Sequence, residues 1–134
     1  MQLLVLAPEP VDADAVRAAL GEEVEGARVL VVSPATNESP LAFWVSDSDE
    51  AIEEAVDAKD ETVERLREEG VSASGTTGES EPLVALQDAL ATFPADRILI
   101  FVRAQDEQHY REDDVSGEAQ RRFDVPVTLA TLAG

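Results

Sequence analysis

The sequence predicts one α/β domain over residues 1–134, a doubly wound parallel sheet of five strands with helices on both faces. Its 134 residues suffice for a single hydrophobic core and are too few for two. Five short apolar segments alternate with polar segments of helical periodicity, which is typical of β-α-β units with right-handed crossovers. The third segment is the most polar, as an edge strand would be, and this suits the strand order 3-2-1-4-5.

The first half of the chain supplies two apolar strands and two helices. Leu3 to Ala7 and Ala27 to Ser33 are continuously apolar, as strands are when helices cover both faces of a sheet. Between them, Asp12 has the position of a helix N-cap and Gly21 ends the short helix. Asp47 to Glu69 predicts the longest helix, whose first turn has capping-box spacing. Its buried face is expected to consist of Ile52, Ala55, Val56, Val63 and Leu66.

The second half supplies three strands and two helices. Val71 to Thr77 predicts the polar edge strand, and Ser80 then caps a helix that ends before Pro94. Arg97 to Val102 is the most apolar run and predicts a central strand. The last helix is expected over Asp114 to Arg122, and the last strand over Val125 to Leu132.

The charge balance excludes several classes of partner. The chain has 29 acidic and 10 basic residues, a formal net charge of −19, and no cysteine. Such a field repels phosphate backbones and anionic membranes, so we expect no binding to nucleic acid or membrane. The opening apolar run Met1 to Leu6 is too short for a signal peptide, and no segment approaches 18 apolar residues. We therefore expect a soluble, cytoplasmic protein.

A ligand pocket is expected where the strand order reverses, beyond the carboxyl ends of the first and fourth strands. The residues that the predicted topology brings to that end of the sheet, and that we take as the candidate pocket for an unknown small molecule, are Pro8, Glu9, Ser33, Thr36, Thr76, Arg103 and His109.

Neither phosphoacceptor nor metal chemistry is predicted at this pocket. A receiver-type site needs paired acids after the first strand, an aspartate after the third strand and a lysine after the fifth. Glu9 is a lone acid after the first strand. His109 lies among acids and could act as a metal ligand or a base, but so dense an acidic run is typical of a solvated loop. No serine, threonine or histidine arrangement suggests a nucleophilic triad. We therefore predict no catalytic residue, no metal and no cofactor.

Two stretches of the second half carry a family resemblance. The run from Pro82 to Phe101, PLVALQDALATFPADRILIF, and the run from Phe123 to Leu132, FDVPVTLATL, resemble the carboxyl half of a universal stress protein. The resemblance implies that family's α/β fold. In members that bind ATP it also implies a glycine-rich loop, G-x-x-G followed after nine residues by G-S or G-T, between the fourth strand and the last helix.

The sequence departs from the family at the residues that bind the nucleotide. From Val102 to Glu118 only Gly117 remains of the glycines, and the loop within this stretch contains five acids: Asp106, Glu107, Glu112, Asp113 and Asp114. Backbone N–H groups converge on phosphates most readily at glycines, and the added acids would repel them. The family's adenine-contacting aspartate, which follows the first strand, has no match either, since that position is occupied by Ala7, Pro8 and Glu9. We therefore expect the fold without tight ATP binding.

These observations favour a binding or regulatory module over an enzyme. The alternative is a nucleotide or small-molecule sensor, or an enzyme, with a noncanonical pocket at the carboxyl ends of strands 1 and 4. A third possibility is an interaction protein whose acidic face meets a cationic partner. The apolar last strand has no charged residue after Asp124, so a homodimer is expected through Val127, Leu129 and Thr131 at its open edge.

Overall fold

Five parallel strands form one sheet in the computed structural model, which describes residues 1–24, 26–34, 48–78, 82–103 and 114–132. The strands are β1 (Gln2–Leu6), β2 (Arg28–Pro34), β3 (Ser72–Gly78), β4 (Arg97–Arg103) and β5 (Val127–Leu132). Their order across the sheet is β3-β2-β1-β4-β5, with every neighbouring pair parallel. The predicted fold class and strand order are confirmed. β1 is the central strand, and the more apolar β4 lies beside it.

Four α-helices connect the strands: α1 (Ala13–Leu20), α2 (Ser48–Glu68), α3 (Pro82–Thr92) and α4 (Val115–Phe123). Within the described ranges, the predicted helix bounds differ from these by at most one residue. The predicted caps at Asp47 and Ser80 lie outside the described residues.

The ends of α1 follow from two residues. The Asp12 carboxylate accepts a hydrogen bond from the Ala15 N–H at 2.9 Å, which satisfies a donor that the first helical turn leaves open. Gly21 has φ 73°, a conformation that favours glycine, and its N–H donates to the Arg17 carbonyl. A short 3-10 turn, Gly21–Val24, follows and places Val24 in the core.

The sheet separates two apolar layers. Odd-numbered residues of β1, such as Leu3 and Val5, pack towards α1 and α2, whereas Leu4 and Leu6 pack towards α3 and α4. Right-handed crossovers explain this division: the chain moves outward from β1 to β3 on one side, then crosses and moves outward to β5 on the other. Because both faces are covered, β1 and β4 are buried along most of their length.

The buried face of α2 is largely the predicted one. Ala55, Val63 and Leu66 are buried and Val56 is half-buried, while the Ile52 side chain lies outside the described residues. Thr62 is also fully buried on this face. The acidic face is exposed, as expected from its charge. It consists of Glu53, Glu54, Asp57, Asp60, Glu61, Glu64 and Glu68.

No helix in the described ranges is long and apolar enough to cross a membrane. The strand order reverses between β1 and β4, so the segment after β1 and the end of β4 meet at one edge of the sheet. We call this place the switch point.

Candidate functional site

The segment after β1 is held in place by two buried hydroxyl groups. Ser33, fully buried near the end of β2, donates its Oγ hydrogen to the Ala7 carbonyl at 2.7 Å. Thr62, fully buried on α2, accepts from the Val11 N–H at 3.1 Å and donates to the Ala58 carbonyl at 2.7 Å. The backbone leaving β1 is thereby fixed to β2 and to α2.

Arg103 closes the switch point from the β4 side. It is the last residue of β4, and its Nε donates to the Glu9 carboxylate at 3.1 Å. Its Nη2 donates to the Pro8 carbonyl at 3.4 Å. The Arg103 side chain is 17% exposed and that of Glu9 is 48% exposed, so this ion pair is partly shielded from solvent. An arginine that could receive an anion at the switch point therefore holds a carboxylate of the same chain.

A second carboxylate of the chain lies at the start of α4. Asp114 precedes α4 with φ 49° and ψ 48°, a left-handed conformation that aspartate adopts more readily than most residues. Its carboxylate occupies the space that a Cβ at position 117 would need, so a side chain there would displace the Asp114 carboxylate. The carboxylate also accepts from Arg121 Nη1 at 3.4 Å. A negative charge near a helix N-terminus interacts favourably with the helix dipole, and here the protein supplies that charge itself.

Glu118 connects the two arginines of α4. Its carboxylate oxygens accept from Arg121 at 3.0 Å and from Arg122 at 3.1 Å, the neighbours three and four residues along the helix. These hydrogen bonds lower the pKa of Glu118, and the bond to Glu118 raises the pKa of Arg121. All three side chains are partly or largely exposed, so this network lies at the surface of α4.

The structure brings together some residues of the predicted pocket. Pro8, Glu9, Ser33 and Arg103 meet around the switch point. Thr76 does not join them: it is exposed on β3, three strands from β4, which corresponds to about 14 Å at the usual strand spacing. Two further pocket residues, Thr36 and His109, lie outside the described residues, as do the acids around His109.

Two clefts with described linings lie elsewhere. The larger, of about 720 Å³, runs between α2 and β3, and its lining residues are Lys59, Asp60, Val63, Glu64, Arg67, Glu68, Ser74 and Gly75. The smaller, of about 360 Å³, lies between α4 and the start of β5, beside Gln120 and Pro126. Among the described residues, no group of three or more histidine, aspartate or glutamate side chains is placed to hold a metal ion.

The predicted dimer residues lie on the outer strand of the sheet. The Ile98 N–H donates to the Pro126 carbonyl, so residue 126 points its backbone groups towards β4. Because a strand alternates the direction of its backbone groups, those of Val127, Leu129 and Thr131 point away from β4. Thr131 is exposed, and Val127 and Leu129 are half-buried against the α3 and α4 layer.

Sequence reasoning did not identify two residues of these sites. Thr62 lies between Ala55 and Leu66 on the buried face of α2, and a polar residue in register with an apolar stripe is a signal that could have been used. Gln120 accepts from the Val127 N–H at 3.1 Å, a contact between α4 and β5. An exposed glutamine on a polar helix gives no comparable signal.

Comparison with known proteins shows a likeness of fold. No protein-family model matches the sequence, and no curated protein matches it significantly. Among solved structures, the chain is similar to a universal stress protein family protein from Arabidopsis thaliana that was crystallised with AMP bound. The TM-score is 0.62 at 12% sequence identity, and the alignment covers 100% of this chain and 93% of that chain. At so low an identity the likeness shows a shared fold and nothing further.

Proposed function

We propose that this chain is a universal-stress-protein-like binding or regulatory module of the cytoplasm that does not bind ATP tightly and acts as a homodimer. The observation that carries the proposal is the Glu9–Arg103 ion pair at the switch point. A nucleotide phosphate entering there would have to displace Glu9 from Arg103, in a protein whose formal net charge is already −19. The absence of cysteine fits the cytoplasm, where disulfides are rare.

The start of α4 supports the same proposal. The structural neighbour holds AMP, and the helix N-terminus after the fourth strand is a natural place for a phosphate in such a fold. Here the Asp114 carboxylate lies against Gly117 at that helix start. The sequence before it adds further acids and lacks the family's glycines. We therefore place this chain in a branch of the resembled family without the nucleotide loop.

Calorimetric titration with Mg-ATP and with AMP tests the nucleotide part of the proposal. We expect no binding tighter than about 1 mM, which corresponds to about −4 kcal/mol. A micromolar dissociation constant for either ligand would overturn the proposal and favour the alternative, a nucleotide sensor or enzyme with a noncanonical pocket.

The Glu9→Gln variant tests whether the ion pair is responsible. Removing the carboxylate charge lowers the negative charge at the switch point and weakens the contact between residue 9 and Arg103, so this variant should bind AMP more tightly than the wild-type protein. Glu53→Gln, the same change on the exposed face of α2, serves as the control and should behave as wild type. Equal AMP affinities in all three proteins would show that Glu9 does not block the site.

The homodimer is proposed to form through β5. Both edges of the sheet present backbone groups that a further strand could pair with. At the β3 edge, however, Arg67 Nε donates to the Ala73 carbonyl at 2.9 Å, so a side chain of α2 already occupies part of that edge. β5 has no charged side chain between Val127 and Leu132. Pairing of β5 with the same strand of a second copy, across a two-fold axis, would satisfy its outward groups.

Light scattering at micromolar concentration tests the dimer. Leu129→Lys places a charge at the edge and should give a monomer, but Leu129 also packs on the core. Thr131→Pro is the sharper variant, because it removes an outward N–H and leaves the hydrogen bonds to β4 intact. It should be monomeric with an unchanged circular dichroism spectrum, while Thr131→Val remains a dimer. A monomeric wild-type protein, or a Thr131→Pro dimer, would refute the β5 interface.

A further inference from the structure

The β3 edge of the sheet is an open strand that its own sequence does not protect. β3 pairs with β2 residue for residue, without a bulge, and it contains no charged residue and no proline. Charge, proline, a bulge or a covering element normally protects such an edge. Among the described residues, the covering contact is Arg67, whose Nε donates to the Ala73 carbonyl at 2.9 Å. This contact covers only the start of the strand.

The backbone groups that β3 leaves open follow from its register with β2. The Val32 carbonyl accepts from the segment after β1, so Val32 points its backbone groups towards β1 and Val31 points its own towards β3. Val31 pairs with Gly75 and, in a parallel ladder, bonds to the residues on either side of it. The groups of Ala73, Gly75 and Thr77 therefore point away from the sheet. Among the described residues, the N–H groups of Gly75 and Thr77 have no hydrogen-bond partner.

α2 forms a cleft of about 720 Å³ with this edge. The Lys59 and Val63 side chains lie against Gly75, and Arg67 lies further along α2 against Ala73, so α2 runs antiparallel to β3 on the face that these residues share. Neighbouring strands lie about 4.8 Å apart, and their side chains alternate between the two faces. A strand added to the edge would therefore direct every second side chain towards α2 and the cleft.

Three acids line the cleft at a spacing that an extended chain matches. Asp60, Glu64 and Glu68 follow one another at every fourth position of α2, which is about 6 Å along the helix axis. Alternate residues of a strand are about 6.6 Å apart. The two bases of the cleft are engaged, since Lys59 Nζ pairs with Asp60 at 2.7 Å and Arg67 donates to the strand. In the part of the chain that the structure describes, Glu64 and Glu68 have no basic partner.

We propose that the β3 edge binds an extended segment of another protein, in which two lysine or arginine residues stand at alternate positions. The backbone of the segment pairs with the open groups of Gly75 and Thr77. Its two basic side chains lie on the face of α2, opposite Glu64 and Glu68. Main-chain hydrogen bonds then supply affinity, and the charged pairs select the partner. This inference is independent of the nucleotide and dimer proposals, because β3 lies at the opposite edge of the sheet from β5.

A second copy of this chain does not fit the same edge. Among its ten lysine and arginine residues, Arg65 and Arg67 are the one pair that stands two positions apart, and both belong to α2. A second copy also brings a formal net charge of −19, which the acids of the cleft repel. The partner is therefore a cationic segment of a different protein.

A short peptide of alternating lysine and valine, labelled with fluorescein and blocked at both ends, is the probe. Fluorescence anisotropy in about 150 mM salt measures its binding, because that ionic strength screens long-range attraction to the acidic chain. A peptide of the same composition, with its lysines consecutive and its valines consecutive, is the control for charge alone. We expect the alternating peptide to bind severalfold more tightly than this control.

Backbone methylation tests whether the peptide pairs as a strand. A strand directs the N–H groups of alternate residues to the same side, so pairing with β3 uses either the lysine set or the valine set. N-methylation of the set that faces β3 should abolish binding, and N-methylation of the other set should leave it. Loss with methylated lysines indicates an antiparallel segment, and loss with methylated valines indicates a parallel one.

Protein variants test the two halves of the site. The double variant Glu64→Gln/Glu68→Gln should bind the alternating peptide severalfold more weakly than wild type. Glu53→Gln/Glu54→Gln removes the same charge from exposed residues of α2 outside the cleft and should have a smaller effect. Thr77→Pro removes an outward N–H and leaves the hydrogen bonds to β2 intact. This variant should lose peptide binding with an unchanged circular dichroism spectrum.

Four results would overturn the proposal. The first is an alternating peptide that does not bind, or that binds no more tightly than the control peptide. The second is equal binding of the two N-methylated peptides. The third is an equal loss of affinity in the Glu64→Gln/Glu68→Gln and Glu53→Gln/Glu54→Gln variants, or no loss in either. The fourth is a wild-type protein that self-associates and a Thr77→Pro variant that does not, which would assign the β3 edge to a second copy.

Discussion

At the scale of single residues, the switch point is fixed by side chains that are already satisfied. Ser33 and Thr62 are fully buried hydroxyls, and each has a backbone partner within 2.7 Å. Buried polar groups of this kind lower the stability of the folded protein little while they are hydrogen-bonded, and much more when a partner is lost. The segment from Ala7 to Val11 is therefore held by the core of the protein, with no ligand needed to order it.

Thr62→Val should lower the free energy of unfolding by about 1–3 kcal/mol, the usual cost of leaving a buried donor unsatisfied. Valine keeps the shape of threonine but offers no acceptor to the Val11 N–H, which bonds to Thr62 at 3.1 Å. Urea denaturation measures the change. Thr76→Val, on the exposed edge of β3, is the matched control and should change stability by less than about 0.5 kcal/mol. Equal stabilities of the two variants would contradict the role of Thr62.

Glu118 should make stability depend on pH at the end of α4. Its hydrogen bonds to Arg121 and Arg122 lower its pKa in the folded protein. A carboxyl with a lowered folded-state pKa contributes stability above its unfolded pKa of about 4.3, and that contribution disappears as pH falls through the folded-state value. The melting temperature of Glu118→Gln should therefore lie below that of wild type at pH 7, and the gap should close on acidification.

Glu54→Gln provides the comparison for that experiment, because Glu54 is exposed on α2 and away from the arginines of α4. Its difference from wild type should be smaller than that of Glu118→Gln at pH 7. A gap for Glu118→Gln that stays constant from pH 7 to pH 3 would mean that the arginine contacts do not stabilise the folded state.

At the scale of elements, the packing of α2 on β3 depends on Gly75. A Cβ built at this position would lie 2.5 Å from Lys59 Cγ and 2.9 Å from Val63 Cγ2. Both distances are shorter than carbon atoms tolerate, so the Lys59 and Val63 side chains lie directly against the backbone of β3 at Gly75. The Lys59 stem thereby covers part of an edge strand that is otherwise polar, a use of long charged side chains that is common at surfaces.

Gly75→Ala should destabilise the protein by about 1–3 kcal/mol, because overpacking forces the helix or the side chains to shift. This result would run against the ordinary trend, in which alanine is preferred to glycine inside a strand. Ser74→Ala is the control, since Ser74 is the neighbouring residue and is exposed. Thermal denaturation of both variants measures the difference in stability. A Gly75→Ala protein as stable as wild type would show that α2 can shift away from β3 without loss of stability.

The strands and helices were predictable from sequence because they depend on local patterns. Continuous apolar runs identified β1, β2 and β4, and the caps at Asp12 and Gly21 bounded α1. The location of the switch point was predictable, but the side-chain contacts made there were not. The pairing of Glu9 with Arg103 joins residues 94 positions apart, and it depends on a side-chain direction that no local pattern encodes. Thr76 lies apart from this pair because β3 is three strands away from β4, a separation that depends on the order of the whole sheet and on no local pattern.

At the scale of the whole molecule, charge is the dominant property. The formal net charge is −19, and α2 presents seven of the 29 acids on one exposed face. The described ion pairs connect surface side chains for the most part, and such pairs contribute little to stability. Most of the acidic charge is therefore balanced by solvent ions. We expect the same field to disfavour contact with nucleic acids and anionic membranes.

The melting temperature should accordingly rise as sodium chloride increases from low concentration to about 1 M, where the Debye length falls to about 3 Å. Screening weakens the repulsion among acids more than it weakens the few surface pairs, because a chain with 29 acids and 10 bases has many more repulsive contacts. A variant with Glu53→Gln, Asp57→Asn and Glu64→Gln on the exposed face of α2 should show a shallower rise. Protein concentration must be held constant, since a dimer adds its own dependence. A melting temperature of the wild-type protein that stays flat or falls with added salt would show that its acids are spaced or paired well enough not to destabilise the fold.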